Sequence, residues 1–263
     1  ANAVIGAPES WAQSLADLAS AIAAEKGVQA PVAGQATDAA KLLAKSLMSG
    51  ERKAILLGNA AAHHANASSL LALANWIGAQ TGASVGYLTE AANTVGAQLA
   101  GALPAGKGLN AGQMLAGKLK AVLLLNNEPE FDSAAGDKAK ASINATQMVV
   151  TLSPFKANMA FSDVLLPIAP FTETPGTFVN AEGRMQGFHA VVKPLGETRP
   201  AWKVLRVLAN LLDLPGFDFE SSQDVLKQVP GIDAGQVSAA RLSNASDAAI
   251  TLSSPARAVP AVA

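Results

Sequence analysis

Three prolines in one short stretch, Pro167, Pro170 and Pro175, set the tightest limit on what this chain can fold into. Each fixes φ near −65° and lacks a backbone donor, so neither a helix nor a central strand runs through them. The surrounding run, FSDVLLPIAPFTETPGTFVNAEGRMQ from Phe161 to Gln186, therefore predicts a buried strand over Asp163 to Ile168 followed by an ordered turn. Beyond the turn, Gly176 and Gly183 bracket a β segment at Thr177-Phe178-Val179. Asn180-Ala181-Glu182-Gly183 then supplies turn chemistry before Arg184 to His189 returns, which is the pattern of a hairpin.

Apolar periodicity orders the rest. Trp11, Leu15, Leu18 and Ile22 predict a helix over Trp11 to Lys26, with Ser10 as N-cap and Gly27 after its end. A second helix is expected over Thr37 to Met48 after a loose stretch from Gly27 to Gln35. Strands at Ala54 to Leu57, Ser84 to Leu88, Ala121 to Leu125 and Gln147 to Leu152 then alternate with helices at Asn66 to Thr81, Ala91 to Ala100, Ala111 to Leu115 and Ala134 to Asn144. Short apolar strands alternating with helices predict an α/β fold with a doubly wound, mostly parallel, Rossmann-like sheet, preceded by a helical segment and interrupted by the hairpin. Pro200 to Leu212 is the last strong helix, with Pro200 near its first turn. The expected organisation is a helical lead-in over residues 1–50, an α/β domain over 51–229 and a tail over 230–263. That tail lacks aromatic residues, and its composition predicts disorder or an extended arm laid on a neighbour.

Composition narrows the function classes. A net charge of −1 provides no basic field for nucleic acid or anionic lipid. No apolar run approaches the roughly 20 residues that span a bilayer, and the first residues lack the charged-then-apolar order of a signal peptide. Zero cysteines exclude disulfides, thiolate nucleophiles and cysteine-held Fe–S clusters from this stretch. The chain opens on Ala1, the start expected of an excised fragment. At 15% charged residues its surface is poor in Lys and Glu, as expected of a chain that lies against partners.

Candidate chemistry is sparse. Gly58 ends a strand and opens onto a helix where free N–H groups could hold a phosphate, but Asn59-Ala60-Ala61-Ala62 breaks the dinucleotide fingerprint. His63 and His64 are adjacent and point about 100° apart on a helix, so one ion is not easily shared, and His189 is remote in sequence. Glu173, Glu182 and Arg184 can be read as an acid/base set or, more simply, as loop-closing ion pairs in which Arg184 binds Glu182 or Glu173.

The stretch from Phe161 to Gln186 resembles the signature of the molybdopterin-oxidoreductase superfamily, a strand ending in LP that leads into a TE-x-x-GT-x-x-N-x-EGR-x-Q loop. The segments Ala54 to Gly101, Leu123 to Asp132 and Lys193 to Phe217 narrow the resemblance to the large peripheral-arm subunits of bacterial NADH:quinone oxidoreductase, respiratory complex I. That resemblance implies a bracing domain that keeps the fold without the cofactor, with Fe–S clusters in a Cys-rich part outside this stretch. It implies other peripheral-arm subunits as partners, at the cytoplasmic face of the inner membrane and without insertion into it. In cofactor-holding relatives the turn matching Asn126-Asn127-Glu128-Pro129 resembles G-x-N-P and helps read the pterin nucleotide. Here Asn126 stands for the glycine and Glu128 for the asparagine. Positions that would face such a ligand are Gly58, Asn127, Glu173, Gly176, Asn180, Glu182 and Arg184. No catalytic residue and no metal ligand is assigned. Two other readings stand beside this one: a fragment of a molybdopterin-dinucleotide oxidoreductase that holds part of the cofactor site, and a nucleotide-binding module resting on Gly58.

Overall fold

The computed structural model describes residues 3–117, 119–133, 135–233, 236–237 and 239–252. They form two compact units. The first holds the described residues up to Thr94, with 181–183 and the described residues from 239 onward, and the second holds the remainder from Val95 to Val237.

In the first unit, α1 (Trp11–Lys26) and α2 (Asp38–Ser49) precede β1 (Ala54–Leu57), α3 (Asn59–Ala62), α4 (Ala67–Thr81) and β2 (Ser84–Tyr87). The alanines at 12, 16, 19 and 23 of α1 are all buried, at a spacing of four and three that keeps them on one side of the helix. Their small size lets neighbouring elements approach. Leu18 and Ile22 then join Ala40 and Ala44 of α2 and Leu73 and Ile77 of α4 in one core, so residues 1–50 share a core with the segment that follows them. Gly27, at φ 65°, ends α1 in the left-handed conformation that glycine adopts without penalty. Ser10 does not cap α1 as its sequence position suggests. Pro8 starts a 3₁₀ turn over Pro8–Ser10, and the Ser10 hydroxyl donates back to the Ala7 carbonyl at 2.7 Å. Thr37 does cap α2, accepting from the Ala40 N–H at 3.2 Å. β1 and β2 pair in parallel, Ala54 with Ser84 through Leu57 with Tyr87.

The second unit begins in α5 (Thr94–Leu99) and continues through α6 (Ala111–Ala116), β3 (Ala121–Leu125), α7 (Pro129–Asp132), α8 (Asp137–Asn144), β4 (Met148–Ser153) and β5 (Val164–Pro167). These three strands form a parallel sheet in the order β3-β4-β5. Leu124 and Val149 pack on Ile143 of α8, with Leu115 of α6 and Phe161 at the margin. The hairpin follows as β6 (Gly176–Val179) and β7 (Met185–Phe188), antiparallel in the register Gly176 with Phe188 to Val179 with Met185. After it come α9 (Ala201–Leu211), α10 (Ser222–Leu226) and a small ladder of β8 (Ile232–Asp233) with β9 (Gln236–Val237).

The fold class is α/β with parallel strands and covering helices, and the hairpin falls where the glycines place it. The parallel strands are divided between two sheets, one in each unit, where the alternation suggests one continuous sheet. The tail also differs from its composition-based expectation. Residues 243–252 lie outside any helix or strand, yet Ile250 and Leu252 pack on the chain's own core and Thr251 donates its N–H to the Ser69 hydroxyl at 2.8 Å. Apolar burial against α4 supplies what the tail's own composition lacks. Residues 253–263 lie outside the described residues.

Candidate functional site

Open α/β sheets bind ligands outside the carboxyl ends of their strands. In the second unit those ends are Leu125, Ser153 and Pro167. The chain leaves β3 through Asn126, whose φ of 49° is one that Asn tolerates better than most residues. Its N–H is held by the Leu152 carbonyl of β4 at 2.7 Å. Pro129 then opens α7, the single turn closed by the N–H groups of Phe131 and Asp132 on the Glu128 carbonyl, both at 2.8 Å. The Asp132 carboxylate returns to accept from the Glu128 N–H at 2.7 Å.

Two buried side chains behind this turn complete it. The Ser153 hydroxyl donates to Glu128 Oε1 at 2.6 Å and accepts from the Phe155 N–H at 3.0 Å. Asn158, 2% exposed, donates from Nδ2 to the Asn127 carbonyl at 2.9 Å, and its own carbonyl accepts from Ser162 at 2.8 Å. Ser162 in turn meets the fully buried Thr151 hydroxyl at 2.7 Å. The edge is thus an internally bonded polar network that includes two carboxylates, Glu128 and Asp132. Neither Ser153 nor Asn158 is singled out by sequence, because each acts on a turn some 25 to 31 residues away. The one available signal is a Ser ending an apolar strand beside an Asn-rich turn.

Glu173, Gly176, Asn180 and Arg184 belong to a separate arrangement at the hairpin. Glu173 does not reach Arg184. It accepts from the Leu195 N–H at 2.9 Å, and with the Val191 N–H on the Thr172 carbonyl at 2.8 Å it draws the chain after β7 onto the turn before β6. Asn180 closes the hairpin, its Oδ1 accepting the Arg184 N–H at 2.9 Å while its own N–H reaches the Arg184 carbonyl at 3.1 Å. The loop-closing ion pair expected of Arg184 is therefore replaced by a clasp of the Asn180 side chain and main chain on the Arg184 main chain. Among the described residues no carboxylate pairs with the exposed Arg184 guanidinium. Glu182 is exposed at the turn. At Gly176 a Cβ would lie 2.7 Å from Phe188 Cζ, so a larger residue there would have to displace the Phe188 ring, which meets Phe178 edge-on at 4.8 Å.

Gly58 lies in the first unit with φ −80° and ψ 176°, an extended conformation open to any residue, and its carbonyl accepts from Ala61 and Ala62. His63 pairs with Glu90 at 2.9 Å. His64 instead accepts the Asn66 N–H on Nδ1 at 2.9 Å, which leaves Nε2 to donate to the Pro8 carbonyl at 3.0 Å, and its ring stacks on Trp11. The two histidines thus serve different partners. No group of three or more His, Asp or Glu suited to a metal ion occurs among the described residues, and none of their helices is long and apolar enough to cross a membrane.

Residues 4–211 match the family model for molybdopterin oxidoreductase. The chain belongs to the molybdopterin oxidoreductase family. It is 42% identical over 76 residues to a protein of Staphylococcus aureus (strain bovine RF122 / ET3-1) provisionally named formate dehydrogenase, a match covering 29% of this chain and 7% of that one. It is 32% identical over 113 residues to the provisionally named oxidoreductase YjgC of Bacillus subtilis (strain 168), covering 43% of this chain and 11% of that one. A further relative from Staphylococcus aureus (strain MRSA252), also provisionally named formate dehydrogenase, is 33% identical over 69 residues, 26% of this chain and 7% of its own. The matched stretch is thus a small part of each of these relatives. Their names are formate dehydrogenase and oxidoreductase, so the comparisons establish the molybdopterin family and do not reach the complex I subunit that the sequence resembles.

Family membership implies a molybdopterin cofactor, and the turn at the carboxyl edge does not fit the anionic dinucleotide form of it. Residues 126–132 contain Glu128, Glu130 and Asp132 and no basic side chain. Glu130 is paired with Lys140 at 2.7 Å, which leaves that lysine engaged. A pyrophosphate placed here would meet the Glu128 carboxylate, and the Ser153 hydroxyl that could receive it is already bonded to Glu128.

Proposed function

We propose that this chain is one domain of a larger oxidoreductase of the molybdopterin family, allied to the formate-dehydrogenase-like proteins, whose redox centres are carried by other parts of the polypeptide or assembly. The family match over residues 4–211 is the observation that carries this reading. The names of the relatives support it, and they support a piece of a molybdopterin-dependent oxidoreductase better than a complex I subunit in particular. With zero cysteines the stretch supplies no thiolate for an Fe–S cluster, so its part is to build an α/β framework beside the centres.

A second reading is favoured by one specific observation, the Glu128–Ser153 bond that closes the carboxyl edge. It takes the domain as a cofactor-free brace within NADH:quinone oxidoreductase, contacting other peripheral-arm subunits at the cytoplasmic face of the membrane. The parent protein, purified intact, separates the two. Molybdenum or tungsten near one equivalent, with formate-dependent reduction of an acceptor, supports the first reading. Absence of both metals together with NADH:quinone activity supports the second.

A further inference from the structure

In the first unit a cavity of about 320 Å³ lies at the carboxyl end of β1. Leu57, the last residue of that strand, lines it together with Leu18 of α1 and Leu70 of α4, all three buried. Leu43 of α2 and Ala61 of α3 border it as well, so helices from both sides of β1 in sequence meet around one strand end. Open α/β sheets bind ligands at such ends, and the volume falls within the roughly 300–1,000 Å³ of small-molecule sites.

The wall formed by Trp11 is fixed in advance. Its indole N–H donates to the Gly6 carbonyl at 3.2 Å, and its ring stacks on His64, which is itself held by the Asn66 N–H and the Pro8 carbonyl. A ligand would not have to order it. Polar groups on the lining are few and mostly engaged. The Ser14 hydroxyl donates to the Ser10 carbonyl at 3.1 Å, and Thr37 Oγ1 accepts from the Ala40 N–H at 3.2 Å. Asp17 is the one charged side chain of the lining. Its Oδ1 accepts from the Gln13 amide and the Gln35 N–H, both at 2.8 Å, and among the described residues no hydrogen bond or ion pair engages Oδ2.

We propose that this cavity binds a small molecule made of an apolar, ring-sized body and one primary ammonium group, with Asp17 Oδ2 as the acceptor. The apolar lining takes the body. A carboxylate oxygen without a partner, set in apolar surroundings, favours a cation over a neutral donor and repels an anion. No basic side chain of the lining competes for it. The site belongs to the first unit and does not depend on the redox reading of the parent protein.

The probe is naphthylmethylamine, with naphthylmethanol and naphthoate as neutral and anionic counterparts of like size. Calorimetric titration of the 263-residue chain gives the affinities, and the Trp11 indole N–H signal in proton–nitrogen NMR spectra shows where each probe sits. The amine is expected to shift that signal and to bind at least about tenfold more tightly than either counterpart. Asp17→Asn keeps an oxygen for the Gln35 N–H while removing the charge, so it should bring the amine down to the affinity of the alcohol and leave the alcohol unchanged. Ala61→Leu fills the cavity from a half-buried position and should abolish the shift for every probe. Should circular dichroism show that variant unfolded, Ala39→Leu, at an exposed position of α2 on the same lining, takes its place. Equal affinity of amine and alcohol, an Asp17→Asn variant that binds the amine as the unaltered chain does, or titrations that leave the Trp11 signal in place overturn the proposal.

Discussion

The Ser153 hydroxyl donates to the Glu128 carboxylate at 2.6 Å, joining the end of β4 to the turn after β3 from a position only 1% exposed. Because the same hydroxyl accepts from the Phe155 N–H, Ser153→Ala strands two partners at once. That variant is expected to lose about 1–3 kcal/mol of stability, the range for a buried polar group left unmatched. Glu128→Gln keeps an acceptor facing Ser153, and its loss is expected to stay below about 1 kcal/mol. Urea unfolding of both variants measures the difference. Equal stability of Ser153→Ala and the unaltered chain would show the edge to be solvated rather than internally closed.

At the hairpin, Asn180 and not the Arg184 guanidinium closes the turn. Arg184→Ala is therefore expected to shift stability by no more than about 0.5 kcal/mol, as exposed substitutions ordinarily do. Asn180→Ala, which removes the acceptor for the Arg184 N–H, is expected to lose about 1 kcal/mol or more. Thermal unfolding of the pair ranks them, and the reverse order would restore the ion-pair account of this loop.

That reversal illustrates what the sequence reveals and where it stops. Helix α1 was readable from Trp11, Leu15, Leu18 and Ile22, and the hairpin from Gly176, Gly183 and the prolines, because these signals lie within one element. Ser10 misled because Pro8, two residues earlier, starts a 3₁₀ turn that Ser10 joins. The carboxyl edge was identifiable as a place, through strand-helix alternation and the Asn126-to-Asp132 turn, whereas its chemistry was not. Glu128 depends on Ser153, and Asn127 on Asn158, through a parallel register that local patterns do not contain. Residues 243–252 are the extreme case. Their partners Asn66, Ser69 and Asn75 are 169 to 185 positions away, so composition alone reads them as unsupported.

The segment before α2 carries no periodic apolar signal, yet Gly34 lies directly on α1. A Cβ built there would fall 2.3 Å from the Ala16 carbonyl oxygen and 2.8 Å from the Asp17 nitrogen, both main-chain atoms that cannot rotate aside. Gln35 is fixed beside it by its N–H on Asp17 Oδ1 at 2.8 Å. Gly34→Ala is expected to cost about 1–3 kcal/mol through overpacking. Gly58→Ala, with nothing within 4 Å and an ordinary φ, is expected to be near neutral. Denaturant midpoints of the two variants check this, and an equal response would remove the close approach of residue 34 to α1.

Asp224 offers a pH test. Its carboxylate accepts from the Ser221 hydroxyl at 2.7 Å and the Ser221 N–H at 3.1 Å, and Lys227 Nζ lies 3.0 Å away. The Ser221 bond first and Lys227 second hold its pKa down to about 2, below the ordinary 3.8. A carboxyl whose folded pKa is depressed stabilises the fold fully above the unfolded value and loses that contribution as pH falls through the folded one. The capping box of α10 is therefore expected to persist at pH 5 and to fail between about pH 3.8 and about 2. A carbon-detected NMR titration of the Asp224 carboxyl should give a midpoint near 2, and Ser221→Ala should move it up toward 3.8. A midpoint of 3.8 in the unaltered chain, or no response to Ser221→Ala, would mean that the box at α10 does not hold the carboxylate in solution.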